Sequence, residues 1–439
     1  MDDENRKRKL EEESQKALDL ERNAVKRLKL RATLGKFVVE LKPKFAVSSM
    51  ALLLIKEIHP FLSSMVCSNG ITAVLCTGSS NGDLAFYDAQ NSFNIFETVQ
   101  VNKKLEAVNC IASLENSLVV AAGCDLTRFC LKTGKSEIAM EDAHDNEINV
   151  IIHTKLDSTD TMIFSCSLQG DIKCWLERTF DCLFSFQGHS DAVLTMTFFY
   201  EQSRPIRLIS GSDDCTIMVW EFPVQNILNK PSAPCTTVVK SAEHTLKHHD
   251  DYIIKLCATN FKSDNFLISC SGDCSICIWD HKWTLVRTLC SDKMIVSMGL
   301  ISNILFAAVR EGDDLEECVL ETYLIGTDVT KFGKGKKRIP ILLPTCMLTA
   351  KAGEQLLHPF VATSAEEENS VHVWVSPYMV DSPHPNSVPP SVNTTQASVN
   401  YPGDLIAKGF LKNILQLDKL SPDMQRVLNL GLNLYEENL

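Results

Sequence analysis

The sequence predicts an all-β fold, a seven-bladed β-propeller with an N-terminal helix and a C-terminal helical tail. Three observations predict it. A short hairpin pattern ending on an aromatic residue recurs along the chain. Its copies are spaced at the interval that four short strands need. No apolar run approaches the ~18 residues of a membrane-spanning helix.

The clearest copy is "LISGSDDCTIMVWEF", residues 208–222, in which an apolar strand meets a Ser-Asp-Asp turn and a second strand ends on Trp220. "CTGSSNGDLAFYD" ends on Tyr87 and Asp88, "FSCSLQGDIKCWL" reaches Trp175, "LISCSGDCSICIWD" ends on Trp279 and Asp280, and "VATSAEEENSVHVWV" reaches Trp374. Two weaker copies surround Cys130 and Tyr323, which makes seven. Tyr87 to Cys130 is 43 residues, Cys130 to Trp175 is 45, and Trp175 to Trp220 is 45. Trp220 to Trp279 is 59, and the excess, "QNILNKPSAPCTTVVKSAEHT", reads as an insertion between blades.

The motifs around these hairpins resemble those of the WD-repeat family of β-propellers. Gly188-His189 precedes Trp220-Glu221, His248-His249 precedes Trp279-Asp280, and Ala143-His144 precedes Trp175-Leu176. Asp214 and Asp273 stand six residues before their Trp, where the family places its turn Asp. Asn81 and Gln169 replace it in two other blades, which are therefore expected to be less rigid. An imidazole, a strand hydroxyl and a carboxylate can form a hydrogen-bond chain that ends on an indole N–H. The expected structural network is His189, Ser210 or Ser212, Asp214 and Trp220 in one blade, and His249, Ser271, Asp273 and Trp279 in the next. The same residue types make a nucleophilic triad. No G-x-S-x-G elbow lies in either of these two blades, so no catalytic residue is assigned.

Residues 1–36 read as a charged helix with basic clusters, Arg6-Lys7-Arg8-Lys9 and Lys26-Arg27-Leu28-Lys29-Leu30-Arg31. Such clusters at a chain end suit nuclear import. This segment holds 11 Lys/Arg against 8 Asp/Glu, or +3, so of the chain's −12 the remainder carries −15. An acidic body argues against general nucleic-acid binding. RNA contact would need a local patch. The candidate is "KFGKGKKRIP", 331–340, read as an exposed loop that puts Lys334, Lys336, Lys337 and Arg338 on phosphates. It lacks the Walker pattern.

Residues 37–376 are assigned to the propeller, with the extended stretch 37–60 as the strand that closes the ring. Residues 377–403 are Pro- and Ser-rich and read as a linker. Residues 404–439 read as two short helices, with Leu405, Ile406, Phe410, Leu411, Ile414 and Leu415 on one apolar face that packs on the propeller or on a partner. The 17 cysteines lie mostly in apolar strands, and no secretory signal is visible at residues 1–13, so they are expected to be reduced core thiols. Cys274 and Cys277 form a lone C-x-x-C without a second ligand pair, so no metal is assigned. No cofactor loop is present in the sequence.

The resemblance implies a non-enzymatic platform for protein partners. Taken with the basic clusters, it points to a nuclear scaffold, also present in cytoplasm, in RNA processing or modification, such as the non-catalytic subunit of a tRNA methyltransferase. That subunit family's Arg-Asp-Glu-Lys strand motif is absent, and blade four has Ser212-Asp213-Asp214-Cys215. Two alternatives are a cullin-ligase substrate receptor and a cytoplasmic signalling or trafficking propeller. The receptor's Trp-Asp-x-Arg survives only as Trp175-Leu176-Glu177-Arg178. No membrane association is expected.

Overall fold

A strand flanked on both faces is buried along its whole length rather than at alternate residues. Ser117–Ala122 and Arg207–Ser212 are of this kind, buried at every residue, whereas Lys135–Met140 at a sheet's outer edge is mostly exposed. These two patterns belong to the second and fourth strands of one repeated unit. The computed structural model describes residues 38–55, 72–89, 95–101, 104–155, 161–201, 206–221, 237–261, 264–301, 304–310, 317–324, 333–342, 344, 346–350, 360–365 and 370–375. The helix expected over 1–36, the linker 377–403 and the helices of 404–439 lie outside these residues.

The strands form seven sheets, and each is one blade. The innermost strands are Val47–Ile55, Val108–Ser113, Ile148–Lys155, Val193–Phe199, Ile253–Phe261, Ile295–Ile301 and Met347–Ala350. Each touches the next, and the last touches the first, so the ring closes. The sheet of blade seven is completed by Val38–Leu41, hydrogen-bonded beside Ser370–Val375. The first and last parts of the ring thus share one sheet. This corrects the expectation for 37–60: only the first four described residues close the ring, and Val47–Ile55 is the inner strand of blade one.

Apolar clusters fill the seams between neighbouring blades. Phe164, Phe184 and Phe186 of blade three meet Phe198, Leu208 and Trp220 of blade four in one cluster. Phe199, Ile217 and Val219 of blade four meet Ile253, Leu267 and Trp279 of blade five in another. The seams carry the hydrophobic stabilisation, because each sheet buries both faces against its neighbours.

Two further expectations are corrected. The residues after Trp220 are not an insertion between blades. They interrupt blade four, whose third strand is Thr216–Glu221 and whose outer strand is His244–Lys247. Part of the excess, Thr237–Val239, pairs in parallel with the outer strand Cys182–Phe186 of blade three. The basic segment is also not a loop, since Gly333–Leu342 is the outer strand of blade six, antiparallel to Glu317–Leu324. Its register shifts between Glu321, opposite Arg338, and Tyr323, opposite Lys334. Gly335, Lys336 and Lys337 therefore lie at a bulge on a sheet edge.

Candidate functional site: buried polar relays and the faces they support

In blade four, His189 stands at the entry to the inner strand and Asp214 in the turn between the second and third strands. His189 Nδ1 lies 2.9 Å from Asp214 Oδ2, and His189 Nε2 lies 2.8 Å from Ser210 Oγ. The Trp220 indole N–H donates to the same hydroxyl at 2.8 Å. Asp214 also accepts the backbone N–H of Ser190 and both the N–H and the hydroxyl of Thr216. Between Ser210 and Ser212 the structure selects Ser210. Ser212 instead donates to the Asp191 carbonyl and accepts the Asp214 N–H.

Gly188 has a packing reason. A Cβ there would sit 2.8 Å from Cη2 of Trp220 and 3.2 Å from Sδ of Met218. The ring cannot yield easily, because its N–H is tied to Ser210 and its edge meets Phe186 at 5.5 Å.

Blade five repeats the relay with His249 Nδ1 at 2.9 Å from Asp273, His249 Nε2 at 2.8 Å from Ser269 and the Trp279 N–H at 3.0 Å from Ser269. The hydroxyl is Ser269, and the expected Ser271 is a correction. Ser271 donates to the Asp251 carbonyl and accepts the Asp273 N–H. Both serines lie on one strand two residues apart, so both satisfy the same face pattern. The register, which sets Leu267 opposite Trp279, brings the indole to Ser269. Ser275 takes the place of Thr216 and lies 3.0 Å from His249 Nδ1.

Blade three carries a third relay. His144 Nδ1 lies 2.8 Å from Asp171, its Nε2 lies 2.6 Å from Ser165, and the Trp175 N–H donates to Ser165 at 2.8 Å. Gln169 leaves no gap here, contrary to the expectation of a looser blade. The carboxylate comes from Asp171, two residues later, at the position of Thr216 in blade four. Gly170 turns the chain between them at a φ of 86°, where blade four has Cys215 at 62°. Blade one lacks the histidine, and Asn81 bridges Ser79 and Asp83 within the turn. In blade two Asp125 accepts the Asp142 N–H and pairs with Lys104 at 2.7 Å. A Gly-Cys-Asp turn without a neighbouring His was the only sequence signal for it.

The titration behaviour follows from this geometry. Burial by itself raises the Asp171 carboxyl, but the His144 hydrogen bond and charge, with Ser167 and Lys173, bring it down to about 2. In Asp214 and Asp273 burial is likewise outweighed, through His189 and Thr216 in one and Ser275 and His249 in the other, and both end below the ordinary range. Burial lowers His249, against an opposing pull from Asp273. These shifts have one sign. The unfolded chain binds more protons than the folded one, below 6.5 for His249 and below 3.8 for the aspartates, so stability rises with pH through both windows. The melting temperature should therefore hold near neutrality, begin to fall below about pH 6.5, and fall again below about pH 4. A melting temperature that stays level from pH 7 to pH 3 in scanning calorimetry would contradict the relays.

The Ser-His-Asp order matches a nucleophilic triad, but its hydroxyls are sealed. Ser165, Ser210 and Ser269 are fully buried, and each accepts an indole N–H. No substrate can reach them as folded. Cys277 is buried in a strand, and burial raises its thiol, while Cys274 occupies the adjacent turn. Among the described residues no group of His, Cys, Asp and Glu is arranged to hold a metal ion, and the described cysteines are free thiols.

A closed ring of seven blades, three of them tied by the same four-residue relay, is a repeat propeller. The profile of the "WD domain, G-beta repeat" matches residues 180–221 and 240–280, which hold the outer strand of blade three and most of blades four and five. The chain is thus a seven-bladed β-propeller that carries WD repeats. WD repeat-containing protein 55 of Arabidopsis thaliana is 28% identical over 151 residues, 34% of this chain and 41% of that protein. Regulator of rDNA transcription protein 13 of Saccharomyces cerevisiae is 33% identical over 107 residues, 23% of this chain and 52% of that protein. E3 ubiquitin-protein ligase COP1 of Arabidopsis thaliana is 24% identical over 265 residues, 50% of this chain and 38% of that protein. The matches thus span less than two thirds of these relatives. A chain of the "Crystal Structure of Mitotic Checkpoint Complex" superposes with a TM-score of 0.57 at 13% identity, over 78% of this chain and 91% of that one, and shares the fold.

Proposed function

We propose that this chain is a non-catalytic scaffold subunit of a nuclear assembly that processes or modifies RNA, and that it offers its propeller faces to protein partners. The observation that carries the reading is the sealing of the His–Ser–Asp sets. They tie strands together and leave the faces of the ring to do the binding. Similarity to a regulator of rDNA transcription supports the nuclear setting. Arg6, Lys7, Arg8, Lys9, Lys26, Arg27, Lys29 and Arg31 are assigned to nuclear import. Lys334, Lys336, Lys337 and Arg338, on the bulged outer strand of blade six, are assigned to RNA phosphate contact. A non-catalytic tRNA methyltransferase subunit is the finer form of this reading.

Affinity purification of the tagged chain from a nuclear extract, followed by mass spectrometry, tests it. Stoichiometric recovery of an RNA-modifying or RNA-processing complex is expected, and recovery of none would overturn it. In parallel, Lys26, Arg27 and Lys29 replaced together by Ala should move a fluorescent fusion from nucleus to cytoplasm. A wild-type fusion that is already cytoplasmic, or a variant that stays nuclear, rejects the import assignment.

A second reading is favoured by the likeness to an E3 ubiquitin-protein ligase: a substrate receptor of a cullin ligase. Glu177 of the Trp175–Arg178 tetrad weighs against it. Glu177 accepts the Ser117 hydroxyl at 3.0 Å and pairs with Arg128 at 3.1 Å, both in blade two, and so serves the seam between blades. Cullin and adaptor peptides in the same purification would select this second reading.

A further inference from the structure

We propose that the outer edge of blade three, the strand Cys182–Phe186, is a docking site for an extended, β-branched segment of a partner protein. In the unbound protein, Thr237–Val239 of this chain covers that edge as a displaceable strap.

The topology supplies the first part of the argument. Among the described residues, the other six sheets end on their fourth strand, whereas blade three carries a fifth. That fifth strand comes from blade four. Its third strand ends at Glu221 and its outer strand begins at His244, while in blade three the same step runs only from Leu176 to Cys182. The edge of blade three therefore accepts an added extended segment, and it does so in parallel register, with Phe184 opposite Thr237, Ser185 opposite Val238 and Phe186 opposite Val239. Gln187 N–H donates to the Val239 carbonyl at 2.9 Å, which extends the ladder by one bond.

The hold of the strap is slight. It spans three residues in parallel pairing, the less stable kind per residue. Val238 is 45% exposed. Val239 is half-buried and packs against the core that blades three and four share. The root of the strap is held far better. Glu243 N–H donates to the Val219 carbonyl at 2.8 Å, and Arg207 bonds both Glu243 oxygens, at 2.7 and 3.2 Å. Residues 237–239 can thus leave the edge while His244–Lys247 stays in blade four. An incoming extended segment with a β-branched residue at the Val239 position would regain the main-chain bonds and the packing of Val239.

The test uses the full chain and a labelled peptide of residues 236–243, "TTVVKSAE", with binding read by fluorescence anisotropy. Val239→Asp should unseat the strap and bind the peptide about tenfold more tightly than wild type, with Val238→Asp, at an exposed side chain, close to wild type. A folded Val239→Asp variant, checked by circular dichroism, that binds no better than wild type overturns the proposal. Hydrogen exchange on the wild-type protein decides without any variant. The amides of 237–239 should exchange at least about tenfold faster than those of Thr161–Ser167 in the same blade. Equal rates would make the strap a fixed part of the fold and overturn the proposal even if Val239→Asp fails to fold.

Discussion

Trp220→Ala is expected to cost about 3–5 kcal/mol, more than any surface change. Trp220 is 1% exposed and, among the described residues, is the largest fully buried side chain. Its ring packs edge-on against Phe186 at 5.5 Å in the seam between blades three and four. Removing it opens a cavity bounded by Phe186, Met218 and the Gly188 backbone. It also leaves the buried Ser210 hydroxyl without its donor. Trp220→Phe separates the two effects. It keeps most of the apolar volume and loses the N–H, so it should cost only about 0.5–1.5 kcal/mol from the lost bond, plus a smaller cavity term. Thermal and urea unfolding measure both. A melting temperature that moves by less than a degree in Trp220→Ala would show that the ring is not part of a buried relay.

Gly211→Val is expected to destabilise by about 1–3 kcal/mol, through crowding rather than through a cavity. Gly211 sits in the second strand of blade four, opposite Ile217 in register. A Cβ there would lie 2.5 Å from Cγ2 and 2.9 Å from Cβ of Ile253, and 3.0 Å from Cγ2 of Thr195. Ile253 is the first residue of blade five's inner strand, is fully buried and is stiff at χ1, so it cannot swing aside. The blades would have to part at that seam. Gly211→Ala should show the same effect in smaller measure. Proteolytic cleavage should then become easier within Ile253–Phe261. A valine variant as stable and as protease-resistant as wild type would show that the seam is looser than these distances allow.

The relay of blade four was legible because its geometry is local. A carboxylate six residues before the Trp spans one turn and most of one strand, and the preceding Gly-His lies one outer-to-inner connection away. In blade five the same logic named Ser271 where the structure uses Ser269. Residues two apart on a strand share a face, and only the pairing with Ser275–Trp279 decides which hydroxyl meets the indole. In blade three the fixed spacing pointed to Gln169, but the turn through Gly170 lets Asp171 reach His144. Position counting follows backbone steps, whereas a relay needs only that the side-chain atoms arrive within hydrogen-bond distance.

Composition misled where it stood for conformation. Glycine and lysine in 333–342 suggested a loop, because both are poor strand formers in isolation. Glu317–Leu324 offers a ladder that overrides that preference, and the crowding of charge falls on an edge and a bulge, where it is tolerated. The residues after Trp220 likewise show no strand signal beyond Thr237–Val239, and nothing local says that this short run joins another blade.

The sequence alone determined the repeat, its interval, the aromatic near the end of most third strands, and the kinds of polar residue that tie a blade. Those features are set by short-range periodicity and by the need to bury each sheet on both faces. Tertiary structure decided the ring closure through Val38–Leu41, the choice among equivalent serines, the source of blade three's carboxylate, and the transfer of Thr237–Val239 to a neighbouring sheet. Each of these depends on which backbone lies across from which. That is settled by the packing of elements far apart in the chain, and no local pattern of residue types encodes it.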